Sequence, residues 1–252
     1  MLPVIDCIYV LKLEKNDKTE MENQLNQFFP EKKRVYFEVK GKTVNKNEGS
    51  INMSLLEIVN QNYVDDTSLD ITKNHIEMIK EAYTNNYKTV LFMEEDARFE
   101  KPNEKKLQLV NQWLVNSNRW DIFYLGYCNW PYCVSFFVSP GVVKLWSPLA
   151  AHSYVLNKRG MEKILNYTEY GKKNMNIHVD KMYTKIPYFY KYGMFPMISF
   201  QKKDPALFLK ACDKLNIRIS MKTASKVNEY MSVILPILFL ILLTYFLMKM
   251  FF

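Results

Sequence analysis

The stretch Val90-Leu91-Phe92-Met93-Glu94-Glu95-Asp96 is an uncharged apolar run that ends, without a spacer, in three consecutive acids. A short apolar run of this kind is typical of a strand that is buried on both faces of a parallel sheet. In open α/β sheets, ligands bind at the carboxyl ends of the strands. The sequence therefore predicts that these acids lie where a binding site would be.

The crowding of the three acids has two interpretations. Adjacent carboxylates repel one another unless a cation or a basic group offsets their charge. A hard divalent cation that carries a diphosphate would supply that charge. The plainer interpretation is a solvated turn after a core strand. The chemistry of these residues alone leaves both interpretations open.

The segments around this strand alternate between strand and helix patterns. Strands are predicted at residues 5–13, 34–39, 89–93, 120–125 and 150–156, and helices at 19–29, 71–87, 107–115 and after a cap at Asn157. After Asp180 the pattern loosens, and residues 201–229 are expected to pack over the site or to lead to a membrane. The alternation predicts an α/β fold with a mostly parallel sheet and helices on both faces.

Composition limits the class of protein. The length of 252 residues favours one large domain or at most two small ones, and the 48% hydrophobic content is typical of a packed core. The formal net charge of +8 comes mostly from scattered lysines, and it favours acidic ligands or anionic membranes. No basic stripe is interleaved with aromatic residues, so we expect no nucleic-acid partner. None of the four cysteines forms a CxxC pair, which argues against a zinc site.

The C-terminal segment differs sharply from the rest of the chain. Residues 231–248 contain no charged residue and are dominated by Ile, Leu and Phe. A run of this length can cross the hydrocarbon core as a helix, and Pro236 near its start is tolerated there. We predict a main domain at residues 1–229 and a transmembrane anchor at 230–252. Because the N-terminal segment lacks the basic start of a secretory signal, we expect a single-pass tail anchor with the main domain in the cytosol.

Five segments resemble, in order and spacing, glycosyltransferase family 25, which includes lipooligosaccharide sugar transferases and procollagen galactosyltransferases. They are residues 8–13, Asn74-His75, residues 91–96, residues 120–126, and residues 152–156 together with His178-Val179-Asp180. The resemblance covers roughly residues 4–205. It implies a GT-A-type, Rossmann-like α/β fold, a nucleotide-sugar donor, usually Mn²⁺ (or Mg²⁺), and inversion at the sugar carbon by direct displacement.

The resemblance also implies roles for particular residues. Glu94, Glu95 and Asp96 would form the metal and diphosphate motif, with Glu94 and Asp96 as metal ligands and Glu94 and Glu95 facing the donor. Val10, Leu11 and Lys12 would contact the donor from the first strand.

Two departures from the family pattern concern these roles. Glu95 stands where the family usually has Asp. Lys12-Leu13-Glu14 stands where the family often has Asn-Leu-Asp followed by a basic residue, with Lys15 and Lys18 as substitutes for that residue.

Inverting displacement needs a base for the acceptor hydroxyl. Asp180 is the candidate by its position in the family pattern, and a helix-capping or structural aspartate is the alternative. His75 and His152 are more typical of core histidines than of ligands. We expect Asp121 to orient a loop or a helix end.

The function hypothesis is a membrane-anchored glycosyltransferase. It would move a hexose, galactose or glucose, from a UDP-sugar to a hydroxyl of a protein, lipid or glycan acceptor. A first alternative is an inactive relative that binds a partner at a membrane. A second alternative is a metal-dependent phosphoryl-transfer enzyme, which is disfavoured because the chain has only 7 glycines and no phosphate-cradling glycine loop.

Overall fold

The computed structural model of the chain describes residues 2–12, 18–38, 66–128, 135–201 and 221–251. In chain order its elements are β1 Cys7–Lys12, α1 Lys18–Phe28, β2 Lys33–Glu38, α2 Asp66–Thr84, β3 Thr89–Glu94, β4 Ala97–Phe99, α3 Glu104–Asn116, β5 Ile122–Tyr124, β6 Ser135–Ser139, β7 Val142–Leu145, β8 Ser153–Asn157, α4 Lys158–Tyr167, α5 Val179–Lys185, β9 Lys191–Met194, β10 Ser199–Gln201 and α6 Met221–Phe251.

One large sheet organises the described residues. Its strand order is β2-β1-β3-β8-β5-β9-β7-β6. Strands β2, β1 and β3 are parallel, as are β5 and β9, whereas β8 and β7 are antiparallel to their neighbours. Six of these eight described strands therefore point in the same direction. The predicted fold class, a mostly parallel sheet flanked by helices with one apolar C-terminal helix, is confirmed.

The sheet has a hydrophobic core on each face. Alternate residues of β3 divide between the cores, with Val90 and Phe92 on one side and Leu91 and Met93 on the other. Helices α2, α4 and α5 cover the first side, and α1 and α3 cover the second. Burial on both faces is the reason that the β3 sequence is apolar without alternation.

Several predicted elements shift by a few residues in the structure. Asn157 caps α4 as predicted, because its side-chain oxygen accepts a hydrogen bond from Gly160 N at 2.8 Å. The strand predicted at 150–156 begins at Ser153, since Ala150 has a φ of 75° and breaks the extended backbone. The short strands β4, β6, β7, β9 and β10 were not predicted from the sequence. Leu13, Glu14, Lys15 and most of the predicted 201–229 segment lie outside the described residues, as does the side chain of Lys18.

Helix α6 is one continuous helix of 31 residues. Near its beginning Glu229, Ser232 and Val233 are buried against the domain. Beyond them the apolar side chains are largely exposed. By length and composition alone, the stretch Glu229–Lys249 could cross a membrane. The boundary predicted between residues 229 and 230 falls inside this helix.

Candidate active site at the carboxyl edge of the sheet

The end of β3 lies beside the residue that precedes β8, and that residue contacts the beginning of β10. Glu94 N donates a hydrogen bond to His152 O at 3.0 Å, and His152 Nε2 lies 3.4 Å from Ser199 O. Gly126, just after β5, completes this junction. A Cβ at Gly126 would lie 2.1 Å from Ser199 O and 2.4 Å from His152 Nε2, so the close approach of these segments requires glycine.

Glu94 is held by two side chains. Its Oε1 lies 3.3 Å from His75 Nε2, and its Oε2 accepts a hydrogen bond from Gln201 Nε2 at 3.3 Å. Burial acts to raise the pKa of Glu94, but the hydrogen bonds from His75 and Gln201 and the nearby His152 ring outweigh it, so that this pKa lies below its ordinary value. Glu94 is therefore kept as an anion at the strand end.

His75 connects Glu94 to two buried tyrosines. Its Nδ1 lies 2.8 Å from Tyr154 OH, which lies 2.7 Å from Tyr183 OH. Burial holds the pKa of both tyrosines above the ordinary value, so their hydroxyls stay protonated. All four side chains have hydrogen-bond partners when Tyr183 donates to Tyr154, Tyr154 donates to His75, and His75 donates to Glu94.

This connection was missed by the sequence prediction. His75 is fully buried, as expected for a core histidine, but its ring also orients the Glu94 carboxylate. His75 and Tyr154 are 79 positions apart along the chain, and Tyr154 and Tyr183 are 29 apart. No local spacing pattern therefore marks them.

Asp96 contrasts with Glu94. Its Oδ1 is buried and has no hydrogen-bond partner among the described residues. Burial, together with the nearby Glu94 charge, raises the pKa of Asp96 to about 7, although the charge of Arg98 acts in the opposite direction. A carboxylate in this situation favours either a proton or a cation.

Other buried polar atoms at this edge also lack partners among the described residues. They are His152 Nδ1, Ser153 Oγ and Ser199 Oγ. Burial lowers the pKa of His152 despite the attraction of Glu94, so its ring is neutral near pH 7. Buried polar groups in folded proteins are nearly always paired, and a concentration of exceptions is typical of a site that binds a ligand.

The other residues of the acidic motif and the first strand are placed differently. Glu95 is only 5% exposed, and its backbone N donates to Leu11 O at 3.0 Å. The side chains of Val10 and Leu11 lie in the two cores, so only their backbone groups could reach a donor. Lys12 Nζ lies over the Tyr36 ring, 4.2 Å from its centroid.

Asp180 lies in the first turn of α5. Its Oδ2 accepts a hydrogen bond from Ala150 N at 3.0 Å, and its Oδ1 accepts one from Lys181 N at 2.6 Å. These bonds fix the turn that leads to His152. These contacts are structural, but Asp180 does not cap α5, because the N-cap is His178 and no side chain makes a cap hydrogen bond there. Two lone-pair positions of the Asp180 carboxylate remain for another partner.

Two arrangements of ligands could hold a divalent cation at this site. Within the described part of the chain, no group of three or more His, Cys, Asp or Glu side chains is arranged to hold a metal ion. Mg²⁺ and similar hard ions, however, are commonly bound by one or two carboxylates while water and substrate phosphates complete the shell. The unpartnered Oδ1 of Asp96, close to the Glu94 anion, fits that second mode.

Comparisons with known proteins give distant likenesses only. No protein-family model matches the chain, and no curated protein matches its sequence. Among solved structures, A197 from STIV has 11% identity and a TM-score of 0.45, covering 79% of this chain and 87% of that one.

Two further solved structures are similar to parts of the chain. A glycosyltransferase involved in the glycosylation of the major capsid of PBCV-1 has 7% identity and a TM-score of 0.35, covering 67% of this chain and 68% of that one. A cytidylyltransferase from Leptospira borgpetersenii serovar Hardjo-bovis has 12% identity and a TM-score of 0.36, covering 75% and 76%. Likenesses this distant carry no argument about the reaction, and they do not show membership of glycosyltransferase family 25.

Proposed function

We infer that the chain is a membrane-anchored, GT-A-type glycosyltransferase that moves a hexose from a UDP-sugar to an acceptor hydroxyl with inversion. The observation that carries this proposal is Asp96 Oδ1, a buried atom with no hydrogen-bond partner among the described residues, beside the Glu94 anion at the carboxyl end of β3. The resemblance of the Glu94-Glu95-Asp96 segment to the acidic motif of family 25 supports the same reaction.

The residues divide into binding and positioning roles. Asp96 and Glu94 would hold a Mn²⁺ or Mg²⁺ ion, which when bound offsets negative charge on the diphosphate leaving group. His75 and Gln201 orient Glu94, so that one carboxylate is fixed in place before the donor arrives. The neutral His152 ring and the Ser199 hydroxyl supply hydrogen-bonding groups that can reach a polar ligand.

Asp180 is the proposed base for the acceptor hydroxyl, a role distinct from its structural hydrogen bonds. Asp180→Asn should keep UDP binding and lose transfer by roughly 10²-fold if Asp180 removes the proton. The variant also loses one hydrogen bond to the backbone, which should lower the free energy of unfolding by about 1–2 kcal/mol whether or not Asp180 is the base.

The structural loss needs a matched control. Asn157→Ala, which removes the cap of α4, should cost about 1 kcal/mol without touching the site. Transfer by Asp180→Asn that is no slower than transfer by Asn157→Ala would remove Asp180 from the mechanism.

The membrane part of the proposal depends on α6. Its exposed apolar stretch would insert as a single span, with residues 1–229 on the cytosolic side. Lys222 and Lys226 both pair with Glu100 of the domain, which ties the beginning of the helix to the folded part. The acceptor on that side would be a protein, lipid or glycan.

One observation favours an inactive, binding relative as the second candidate. Glu94 is already satisfied by His75 and Gln201 without a cation, and Glu95 replaces the family's usual Asp. Such a protein would keep the fold and the anchor and would bind a partner at the membrane.

The deciding experiment uses the full-length protein in lipid nanodiscs. UDP-sugars are offered with and without Mn²⁺, and UDP release, phosphate release and UDP binding are measured on the same sample. UDP release that requires Mn²⁺ supports the glycosyltransferase. UDP binding without turnover supports the inactive relative, and phosphate release supports phosphoryl transfer. Asp96→Asn is the test variant, and Glu77→Gln, an exposed carboxylate on α2, is its control.

A further inference from the structure

The exit point of α6 lies at one edge of the sheet. Ser232 Oγ lies within hydrogen-bond distance of Ser135 Oγ, at 3.2 Å, and Ser135 begins the edge strand β6. Three residues earlier on the helix, Glu229 Oε1 accepts hydrogen bonds from Met197 N at 2.5 Å and from Tyr127 OH at 3.3 Å. The helix therefore stays in contact with the domain until about Val233, which is buried.

The length of helix beyond that point is short for a bilayer. Residues 234–248 are largely exposed and carry no charge before Lys249. At 1.5 Å per residue they rise about 22 Å, whereas the hydrocarbon core is about 30 Å thick. Even when the helix is followed to Phe251, it rises only about 27 Å beyond Val233. The residues that contact the domain therefore lie at the boundary of the hydrocarbon core, which brings the surface around Ser135 to the level of the lipid headgroups.

That surface carries large exposed aromatic residues. Phe136 and Phe137 of β6 are 50% and 53% exposed, and Trp146, just after β7, is 75% exposed. Leu145 is paired with Ser135, so Trp146 lies at the end of the hairpin that contacts Ser232. The Phe137 ring packs against Phe195, which packs against Tyr230 of α6, so the aromatic surface is continuous with the helix.

A basic residue lies on the same hairpin. Lys144 is exposed and is directly opposite Phe136 across the β6–β7 pair. Aromatic side chains with an adjacent lysine are characteristic of the interfacial zone of a bilayer, where rings lie among the headgroups and ammonium groups contact anionic lipid.

We propose that the β6–β7 hairpin is a membrane-docking surface, and that Phe136, Phe137 and Trp146 enter the headgroup region of the bilayer beside α6. The proposal rests on the membrane span of the proposed function, but not on its chemistry. Docking holds the domain against the lipid instead of leaving it free on a tether.

The test measures contact between Trp146 and lipid in the full-length protein. The protein is reconstituted in nanodiscs of zwitterionic and anionic phospholipid, with or without bromine on the upper acyl chain. Bromine quenches tryptophan only at short range, and the difference between wild type and Trp146→Phe isolates the emission of Trp146. The control places a reporter near the opposite edge strand, β2, with Glu31→Trp added to Trp146→Phe. Strand β2 lies six strand spacings from β7, or about 29 Å at 4.8 Å per spacing.

The expected result is loss of Trp146 emission in brominated lipid and no loss for the reporter at position 31. The double variant Phe136→Ser, Phe137→Ser should reduce the quenching while carbonate extraction still leaves the protein in the membrane. Unquenched Trp146 in a carbonate-resistant protein overturns the proposal, and so does a cross-linked dimer in which a second copy covers β6. Release of the protein by carbonate would contradict both the membrane span and the docking surface. Absence of Mn²⁺-dependent turnover in the same nanodiscs overturns only the glycosyltransferase.

Discussion

Two aspartates at opposite edges of the large sheet have opposite surroundings. Asp121, at the amino edge, is fully buried and accepts from Arg159 Nε at 2.6 Å, Lys163 Nζ at 2.8 Å and Tyr190 N at 2.8 Å. Asp96, at the carboxyl edge, keeps a buried oxygen with no described partner. The same residue type is thus fully satisfied at one edge and left open at the other.

The difference separates a structural carboxylate, Asp121, from the carboxylate for which we propose a function, Asp96. Asp121 joins α4 to the beginning of β5 and to the backbone before β9, as the sequence prediction of a loop- or helix-orienting role indicates. An unsatisfied buried carboxylate lowers stability, and proteins keep such groups mainly where a ligand or a reaction uses them. We therefore expect removal of Asp121 to damage the fold and removal of Asp96 to damage function.

The largest expected effect is on stability, from Asp121→Ala. The change leaves two cations and the Tyr190 amide without their acceptor, and we expect a loss of about 3 kcal/mol in the free energy of unfolding. Chemical denaturation measures it. Glu77→Ala, which removes an exposed partner of Lys80, should change stability by at most about 1 kcal/mol. Equal effects in the two variants would contradict the structural role of Asp121.

The next effect concerns turnover in Asp96→Asn. We expect Mn²⁺-dependent UDP release to fall by about 10²–10³-fold, because a charged group that stabilises developing charge is lost. The metal-free protein should be at least as stable as wild type, since a buried charge beside Glu94 is removed. A parallel loss of stability and activity would show that Asp96, like Asp121, has a structural role.

The raised pKa of Asp96 predicts that the stability difference between wild type and Asp96→Asn depends on pH. The pKa of Asp96 is raised to about 7 in the folded chain, so the unfolded state loses this proton at lower pH than the folded state. Metal-free wild type should therefore lose stability relative to Asp96→Asn as pH rises from about 4 to about 7. Denaturation midpoints of the two proteins across this range check the sign. A difference that does not change with pH would show that Asp96 has an ordinary pKa.

A smaller effect is expected for His75→Phe. The ring still fills its buried place, but Glu94 loses one of its two orienting partners and Tyr154 OH loses an acceptor. We expect Mn²⁺ affinity to fall by about 10-fold or more, as for partners that orient metal ligands. Titration of Mn²⁺ in the presence of UDP measures it. Unchanged affinity with reduced stability would leave His75 a core residue only.

The smallest effect is expected for Tyr183→Phe, at the end of the hydrogen-bond series that runs from Glu94 through His75 and Tyr154. One hydrogen bond to Tyr154 is lost while His75 and Glu94 keep theirs, so stability should fall by about 1 kcal/mol. Mn²⁺ affinity should stay close to wild type. A loss of affinity as large as that of His75→Phe would show that the tyrosine pair controls the orientation of His75.

The edge hairpin marks the limit of the sequence prediction of the fold. Strand β3 was predicted because burial on both faces makes its sequence continuously apolar, a signal carried by adjacent residues. Strands β6 and β7 were missed because Phe136, Phe137 and Val138 are all exposed, so the expected alternation is absent. Their structure depends on pairing with each other and with β9.

The sequence by itself determined the central strand, the position of the acids at its end, the Asn157 cap and the long apolar C-terminal helix. Each of these depends on neighbouring residues, whose periodicity and chemistry are visible in the chain. Only the tertiary structure decided which carboxylates are satisfied: His75 reaches Glu94, Arg159 and Lys163 reach Asp121, and no described residue reaches Asp96 Oδ1. Hydrogen-bond satisfaction in a buried site depends on partners that are distant in sequence, and folding alone brings them together.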